Sequence, residues 1–292
     1  MKRRWASALL VALGFAVLVP VAGAVAAWWR VERRLAVDVR PFVARRDPQA
    51  VRDGQRVYRS RSCGRCHGEQ AQGAVFADEG GLYLQGPALT GAPGAVTEGY
   101  TPQDWVRAVR HGLKRDGRPI LVMPSQDYNR LHDEDLASLV AFVTHRPADA
   151  NPLPARVELP CWLWLYYGFG GVKDAAAEID HALPVHAPVE REASVAYGRY
   201  LSEMCVPCHG KDLQGGAIAG APSEWPQAPR LRGPMAAMAA YADVAQFAAM
   251  MRTATRADGS PLAAMPAEAY SALDDLDLRA LHLFLTEPVT NP

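Results

Sequence analysis

The side chains with evident chemistry fall in two short runs, Cys63-Gly64-Arg65-Cys66-His67-Gly68 and Cys205-Val206-Pro207-Cys208-His209-Gly210. Two thiols and an imidazole this close can ligate zinc, run dithiol redox chemistry, or fasten a haem. A closed zinc site takes four ligands, and each run offers three with no second Cys/His pair nearby. Dithiol redox motifs expect a βαβ context, and none is legible. Cys-x-x-Cys-His is the attachment signature of c-type haem. One helical turn sets both sulfurs along one porphyrin edge, and the next residue sets an imidazole under the iron. Two copies imply two covalently bound haem c groups, each with its iron.

The elements around the motifs also occur twice. Shifting the sequence by 142 residues superposes Cys63, Cys66, His67 and Gly68 on Cys205, Cys208, His209 and Gly210. The same shift pairs Gln72-Gly73 with Gln214-Gly215, Pro87 with Pro229, Leu89 with Leu231 and Gly91 with Gly233. Arg110 then meets Arg252, Asp116-Gly117 meets Asp258-Gly259, and Met123-Pro124 meets Met265-Pro266, in unbroken register to Thr144 and Thr286. An ordered series at constant spacing means two copies of one domain. Asp47-Pro48 supplies an N-cap and an N1 proline for a helix running up to Cys63. Asp133 is expected to cap a helix whose Leu136, Leu139, Val140 and Val143 share a face, and Asp275, Leu278, Leu281 and Leu285 repeat the pattern. With no convincing run of alternating strands, each unit of about 100 residues reads as mostly α around a Gly/Pro-rich middle. Such loops bury little by themselves and need something large to organise around.

A second axial ligand must come from elsewhere in each unit. Met123 and Met265 each lie 56 residues beyond their histidine and precede proline, which makes them the expected metal ligands with His67 and His209. Met204, Met235, Met238, Met250 and Met251 have no partner in the repeat and read as core filler. His/Met ligation raises the reduction potential, suits electron transfer, and leaves no open iron position.

The order CxxCHG, then Gly86-Pro87-Ala88-Leu89-Thr90-Gly91, then Met123-Pro124 and a last helix resembles class I cytochrome c. The second copy resembles it too, although Ala228 stands where the first has a glycine before the proline. The resemblance implies that the carbonyls of Pro87 and Pro229 accept the Nδ1 proton of the haem histidines. A membrane anchor followed by two such domains is similar to the dihaem cytochrome subunits of bacterial periplasmic dehydrogenases. Those often carry three haems, against two motifs here. The fold expected is mostly α, with two tandem class I cytochrome c domains behind one N-terminal transmembrane helix. The segments are 1–46 (anchor and connector), 47–148 (first domain), 149–192 (Pro-rich and aromatic linker) and 193–292 (second domain).

Charge and hydropathy fit that plan. The 292 residues carry 31 basic and 31 acidic side chains, with nine and two in residues 1–46 and therefore 22 and 29 in the rest. Nothing in this resembles a nucleic-acid footprint. Trp5 to Trp29 is uncharged and long enough to cross a bilayer core of about 30 Å. It reads as an inner-membrane anchor with the haem domains in the periplasm. The alternative is a cleaved signal peptide, with Ala22, Ala24 and Ala26 at the cleavage site. Leu159 to Val172 is apolar but too short to span. Its aromatics are expected to pack between the domains, or to form a patch for the membrane or a partner, with Cys161 a small buried hydrophobe. His111, His132 and His145 read as surface groups, His282 as a satisfied core histidine, and His181 and His186 carry no signal. Arg110 and Arg252 recur as candidate partners of haem propionates. The function expected is single-electron transfer from a dehydrogenase subunit or quinol-oxidising donor to a terminal oxidase or another cytochrome. The alternative is a dihaem enzyme, of peroxidase or thiosulfate-oxidising type, with one displaceable axial ligand.

Overall fold

A computed structural model describes residues 2–147, 150–218, 221, 224–262, 265 and 270–288. In chain order the helices are α1 (Lys2–Glu32), α2 (Pro48–Ser60), α3 (Gly64–His67), α4 (Pro102–His111), α5 (Asp133–His145) and α6 (Cys161–Gly168). There follow α7 (Ala175–Glu178), α8 (Val195–Ser202), α9 (Val206–His209), α10 (Val244–Thr253) and α11 (Asp275–Thr286). Contacts divide the chain into two compact units. Unit 1 holds Met1–Phe42, Gln72–Asn129 and Ala148–Leu183, and unit 2 holds Val43–Ala71, Arg130–Pro147 and Pro184–Pro292.

Unit 1 contains a sheet that the sequence did not announce: β1 (Ala74–Glu79), β2 (Leu82–Gly86) and β3 (Arg156–Glu158), antiparallel in that order. The Gly80-Gly81 turn, with both φ positive, joins β1 to β2, as tight hairpins require. A register shift between Val75 and Ala77 spoils the alternation of β1. β3 comes from the segment between the repeats, so no local pattern could pair it. α4 starts from a Thr101–Asp104 capping box with Pro102 at its first position, and Gly112 ends it in the left-handed conformation, a textually plain start and stop. Leu9–Glu32 of α1 is long and apolar enough to cross a membrane.

The inter-repeat segment departs from expectation. α6 packs against α1, and its Cys161 is exposed rather than buried. His111 and His181 meet through their Nδ1 atoms at 3.0 Å. His181 Nε2 lies 3.0 Å from the Ala176 carbonyl, to which it can only donate, so His111 supplies the shared proton. Burial, with His181 and Arg110 adding to it, pushes His111 down to about 4. An unfolded histidine titrates near 6.5. As pH falls from 6.5 toward 4, the unfolded chain takes a proton that the folded chain refuses, so stability present above 6.5 is lost across that window. Thermal melts should show a falling midpoint there, and His111→Gln should flatten the fall.

In unit 2 two helix pairs cross at glycines. A Cβ on Gly54 of α2 would stand 1.9 Å from the Ser138 carbonyl oxygen and 2.8 Å from Phe142 Cβ of α5. A Cβ on Gly198 of α8 would stand 1.9 Å from the Ala280 oxygen and 2.8 Å from Phe284 Cβ of α11. Ser138 and Phe142 match Ala280 and Phe284 at the 142-residue offset, whereas the two glycines are 144 apart. The second copy therefore has two fewer residues between its crossing point and its first cysteine. Tyr58 and Tyr200, which do match at 142, consequently do different work. The Tyr58 hydroxyl donates to the Gly68 carbonyl at 2.6 Å. The Tyr200 hydroxyl donates to Asp135, and its ring stacks on His132 with centroids 3.7 Å apart.

Unit 2 also corrects several expectations. His132 is buried by that stacking, not a surface group. Asp133 is the first helical residue of α5 and makes no cap, its carboxylate instead joining Glu134 and Asp135 at the positive end of the helix dipole. Asp274, not Asp275, caps α11, accepting from the amides of Leu276 and Asp277. Met238, Met250 and Met251 are core residues, but Met235 is 98% exposed and fills nothing. His282 is buried with Nε2 2.8 Å from the Tyr241 carbonyl, a satisfied core histidine. His186 pairs with Glu203 at 3.4 Å, and Arg252 pairs with Asp275.

Arg56 of α2 stands 3.7 Å from Asp277 and 4.0 Å from Asp135, two carboxylates at matching repeat positions. The Tyr197 hydroxyl donates to Asp277 at 2.9 Å. Asp277 is fully buried, so its charge needs these partners and Arg191, 3.2 Å away.

Candidate haem sites

The second motif lies wholly within unit 2. α8 runs into a 3-10 turn, Glu203–Cys205, and then into α9, which carries Cys208 and His209. Gly210 follows with φ of +77°, a sharp exit open to glycine at no steric cost. The chain returns through a loop in which Gly215 N donates to His209 O at 2.8 Å. Gly216 and Ala228 exchange backbone hydrogen bonds of 2.9 and 2.8 Å. A Cβ on Gly215 would fall 2.3 Å from Ala228 O and 2.8 Å from Arg230 N, so only glycine lets the chain around Pro229 lie this close. That approach delivers the Pro229 carbonyl to within 2.8 Å of His209 Nδ1. The carbonyl can only accept, so Nδ1 carries the proton and Nε2 keeps its lone pair for a metal. Burial lowers the His209 pKa against the opposing pull of the Pro229 bond, which favours the neutral, ligating form.

The first copy repeats much of this local structure. Cys63 caps α3, which ends at His67, and Gly68 follows with φ of +73°. A Cβ on Gly73 would fall 2.9 Å from Gly86 O and 3.0 Å from Ala88 N, the same close approach around Pro87 as that of Gly215 around Pro229. Cys63, Cys66 and His67 belong to unit 2, whereas Pro87 and Met123 belong to unit 1.

The loops leading to the two methionines also match. Ile120 N donates to Gly112 O at 2.7 Å, and Leu262 N donates to Ala254 O at 2.8 Å, both after left-handed helix ends. Met123 and Met265 are half-buried. Ser125 N donates to Met123 O, while Ser125 Oγ donates to Ala108 O, both at 2.9 Å, and this fixes the turn against α4. Pro266 lies outside the described residues.

Arg61 is a site residue that motif reading passed over. It is buried, its carbonyl lies 4.0 Å from Cys63 Sγ, and its guanidinium sits over the Tyr200 ring at 5.3 Å. Burial pushes the Cys63 and Cys205 thiols up to about 12, and in both cases the Arg61 charge pulls the other way. One cation thus bears on the first cysteine of both motifs. Arg61 has no counterpart in the repeat, since Glu203 occupies its place, so periodicity could not flag it.

None of the five cysteines is disulfide-bonded, and among the described residues no three His, Cys, Asp or Glu side chains converge as a metal site. Burial of Cys63 and Cys205 disfavours the thiolate that zinc ligation and dithiol exchange use. A paired Cys-x-x-Cys followed by an imidazole with Nδ1 tied and Nε2 available fits a covalently attached haem.

Residues 49–143 match the family model described as cytochrome c oxidase, cbb3-type, subunit III. Those residues are thus similar to a cytochrome c domain, a class whose haem c is bound covalently and carries iron. More particularly, the chain is similar to cytochrome subunits of dehydrogenases. It is 28% identical to the fructose dehydrogenase cytochrome subunit of Gluconobacter japonicus, over 76% of this chain and 49% of that one. It is 31% identical to the gluconate 2-dehydrogenase cytochrome c subunit of Pantoea cypripedii, over 58% and 40%. It is 26% identical to the cytochrome c subunit of alcohol dehydrogenase (quinone) of Gluconobacter oxydans (strain 621H), over 56% and 35%. The chain spans half or less of the length of these relatives.

Proposed function

We propose that the protein is a membrane-anchored dihaem cytochrome c that passes single electrons from a periplasmic dehydrogenase or quinol-linked donor to a terminal oxidase or a further cytochrome. The observation that carries this reading is the His209–Pro229 hydrogen bond, set in a glycine-supported loop whose counterpart around Pro87 recurs in the first copy. The haem domains are taken as 47–148 and 193–292, with the bulk of the chain in the periplasm.

Each bound haem supplies a one-electron Fe(III)/Fe(II) couple. Cys63 and Cys66 hold the first haem, and Cys205 and Cys208 the second. Pro229 keeps the His209 ring in one tautomer and one orientation, and Pro87 is assigned the same task for His67. Met123 and Met265 would supply the remaining ligand to each haem, and thioether ligation would suit a carrier working at a raised potential. Residues 47–148 carry 12 basic and 12 acidic side chains, residues 190–292 carry 8 and 12. That difference supports separate partners for the two ends of the path. The similarity to dehydrogenase cytochrome subunits supports a dehydrogenase as one of them.

Intact mass and the pyridine haemochrome spectrum of protein from a cytochrome-c-maturing host should give two haems per chain. Reduced-minus-oxidised spectra should then be insensitive to carbon monoxide, cyanide and peroxide. One haem per chain would overturn the dihaem assignment. Rapid ligand binding at a native haem would replace the carrier with an enzyme having a displaceable ligand.

A further inference from the structure

We propose that α6 is a membrane-interface helix, docked on the Gly23-x-x-x-Ala27 face of α1 and sinking its aromatic side into the lipid leaflet where α1 ends. At eight residues, about 12 Å long, α6 cannot span a bilayer. Its sequence, CWLWLYYG, is apolar on every side, and a helix of that kind is either buried or in lipid. One side is occupied by α1, yet Trp162, Tyr166 and Phe169 remain 66%, 52% and 57% exposed.

The α1–α6 contact has the character of packing inside lipid. A Cβ on Gly168 would lie 2.1 Å from Gly23 O and 3.0 Å from Ala27 N, and a Cβ on Gly23 would lie 2.8 Å from the Phe169 ring. Backbones brought together through small residues are how helices associate where lipid removes the hydrophobic drive. Gly23 stands six residues before Trp29, a depth of about 9 Å at 1.5 Å per residue, which matches the roughly 5–10 Å to which interfacial helices sink. Trp28 and Trp29, both exposed, mark the aromatic belt at that end of α1.

Polar bonds take over where α1 leaves the apolar layer. Arg30 Nε donates to Gly168 O at 3.1 Å, satisfying the C-terminal end of α6. Arg33 pairs at 2.6 Å with Asp174, which also accepts from the Tyr167 hydroxyl at 2.7 Å. Burial would raise the Asp174 pKa, but the bonds from Arg33 and Tyr167 hold it below the usual carboxylate range. The apolar patch is continuous with a helix that itself belongs in lipid, and this favours the bilayer over a protein partner as its cover. α1 is then a fixed part of the fold, because cleavage after Ala24 or Ala26 would strip α6 of its Gly23 contact.

Cys161, exposed at the start of α6, offers a direct probe. In haem-loaded full-length protein the other four cysteines are consumed, so a nitroxide adds once per chain. More than one label would count against the haem reading without touching this one. The labelled protein is placed in vesicles of phosphatidylethanolamine and phosphatidylglycerol and relaxed with oxygen and with a water-soluble nickel chelate. Collision should be frequent with oxygen and rare with nickel. The double change Trp162→Asp, Phe169→Asp should reverse the ratio at unchanged haem absorbance, and the intact mass should retain residues 1–32. Nickel access in the native sequence, shielding from both reagents, a ratio indifferent to the double change, or a chain beginning after Gly23 would each overturn the proposal.

Discussion

Met265→Ala should open one iron: the ferrous protein, silent to carbon monoxide before the change, should bind it stoichiometrically, and one potentiometric wave should move down while the other stays. Met123→Ala should do the same to the other wave. The expectation follows from the chemistry of the ligand, since a thioether stabilises the ferrous state and its loss leaves the position to water. Axial ligation sets haem potentials over a span of about 0.8 V, so the displacement should exceed anything a surface substitution produces. The matched loops support the pairing, with Ile120 N on Gly112 O in one copy and Leu262 N on Ala254 O in the other. Two variants with native potentials and no carbon monoxide binding would refute both ligand assignments.

Gly54→Ala and Gly198→Ala should each destabilise the protein, against the usual trend for glycine in a helix. Helix propensity alone would favour alanine by about 1 kcal/mol. The new methyl, however, would sit 1.9 Å from a backbone oxygen of the crossing helix, which cannot rotate aside. Overpacking of this kind costs about 1–3 kcal/mol and sometimes more. For a unit of roughly 150 residues the balance is a fall in melting midpoint of a few degrees, at roughly 2–4 °C per kcal/mol. Valine at either site should cost more than alanine. A higher midpoint in either alanine variant would mean that the helices cross elsewhere.

The parts of this molecule legible in sequence are those set by neighbours along the chain or by the repeat. The Asp47 cap accepts from Ala50 N as its position foretold, and Pro229 meets His209 as the resemblance implied. What escaped depends on distant partners. β3 pairs with β2 from the far side of the first copy, and the buried His132 is stacked on by Tyr200 from the second. The two-residue shortening before Cys205 is invisible to a fixed offset, because the glycine that marks the crossing moves while its neighbours do not. Cys161 and Met235 are exposed although their residue types favour the interior, because type does not say which side of a segment faces solvent.

Arg61 ties the two motifs together. Its buried charge opposes, at the first cysteine of each, the burial that raises the thiol. A substitution at position 61 is therefore felt at Cys63 and at Cys205 together, and neither motif can be adjusted from that position without the other.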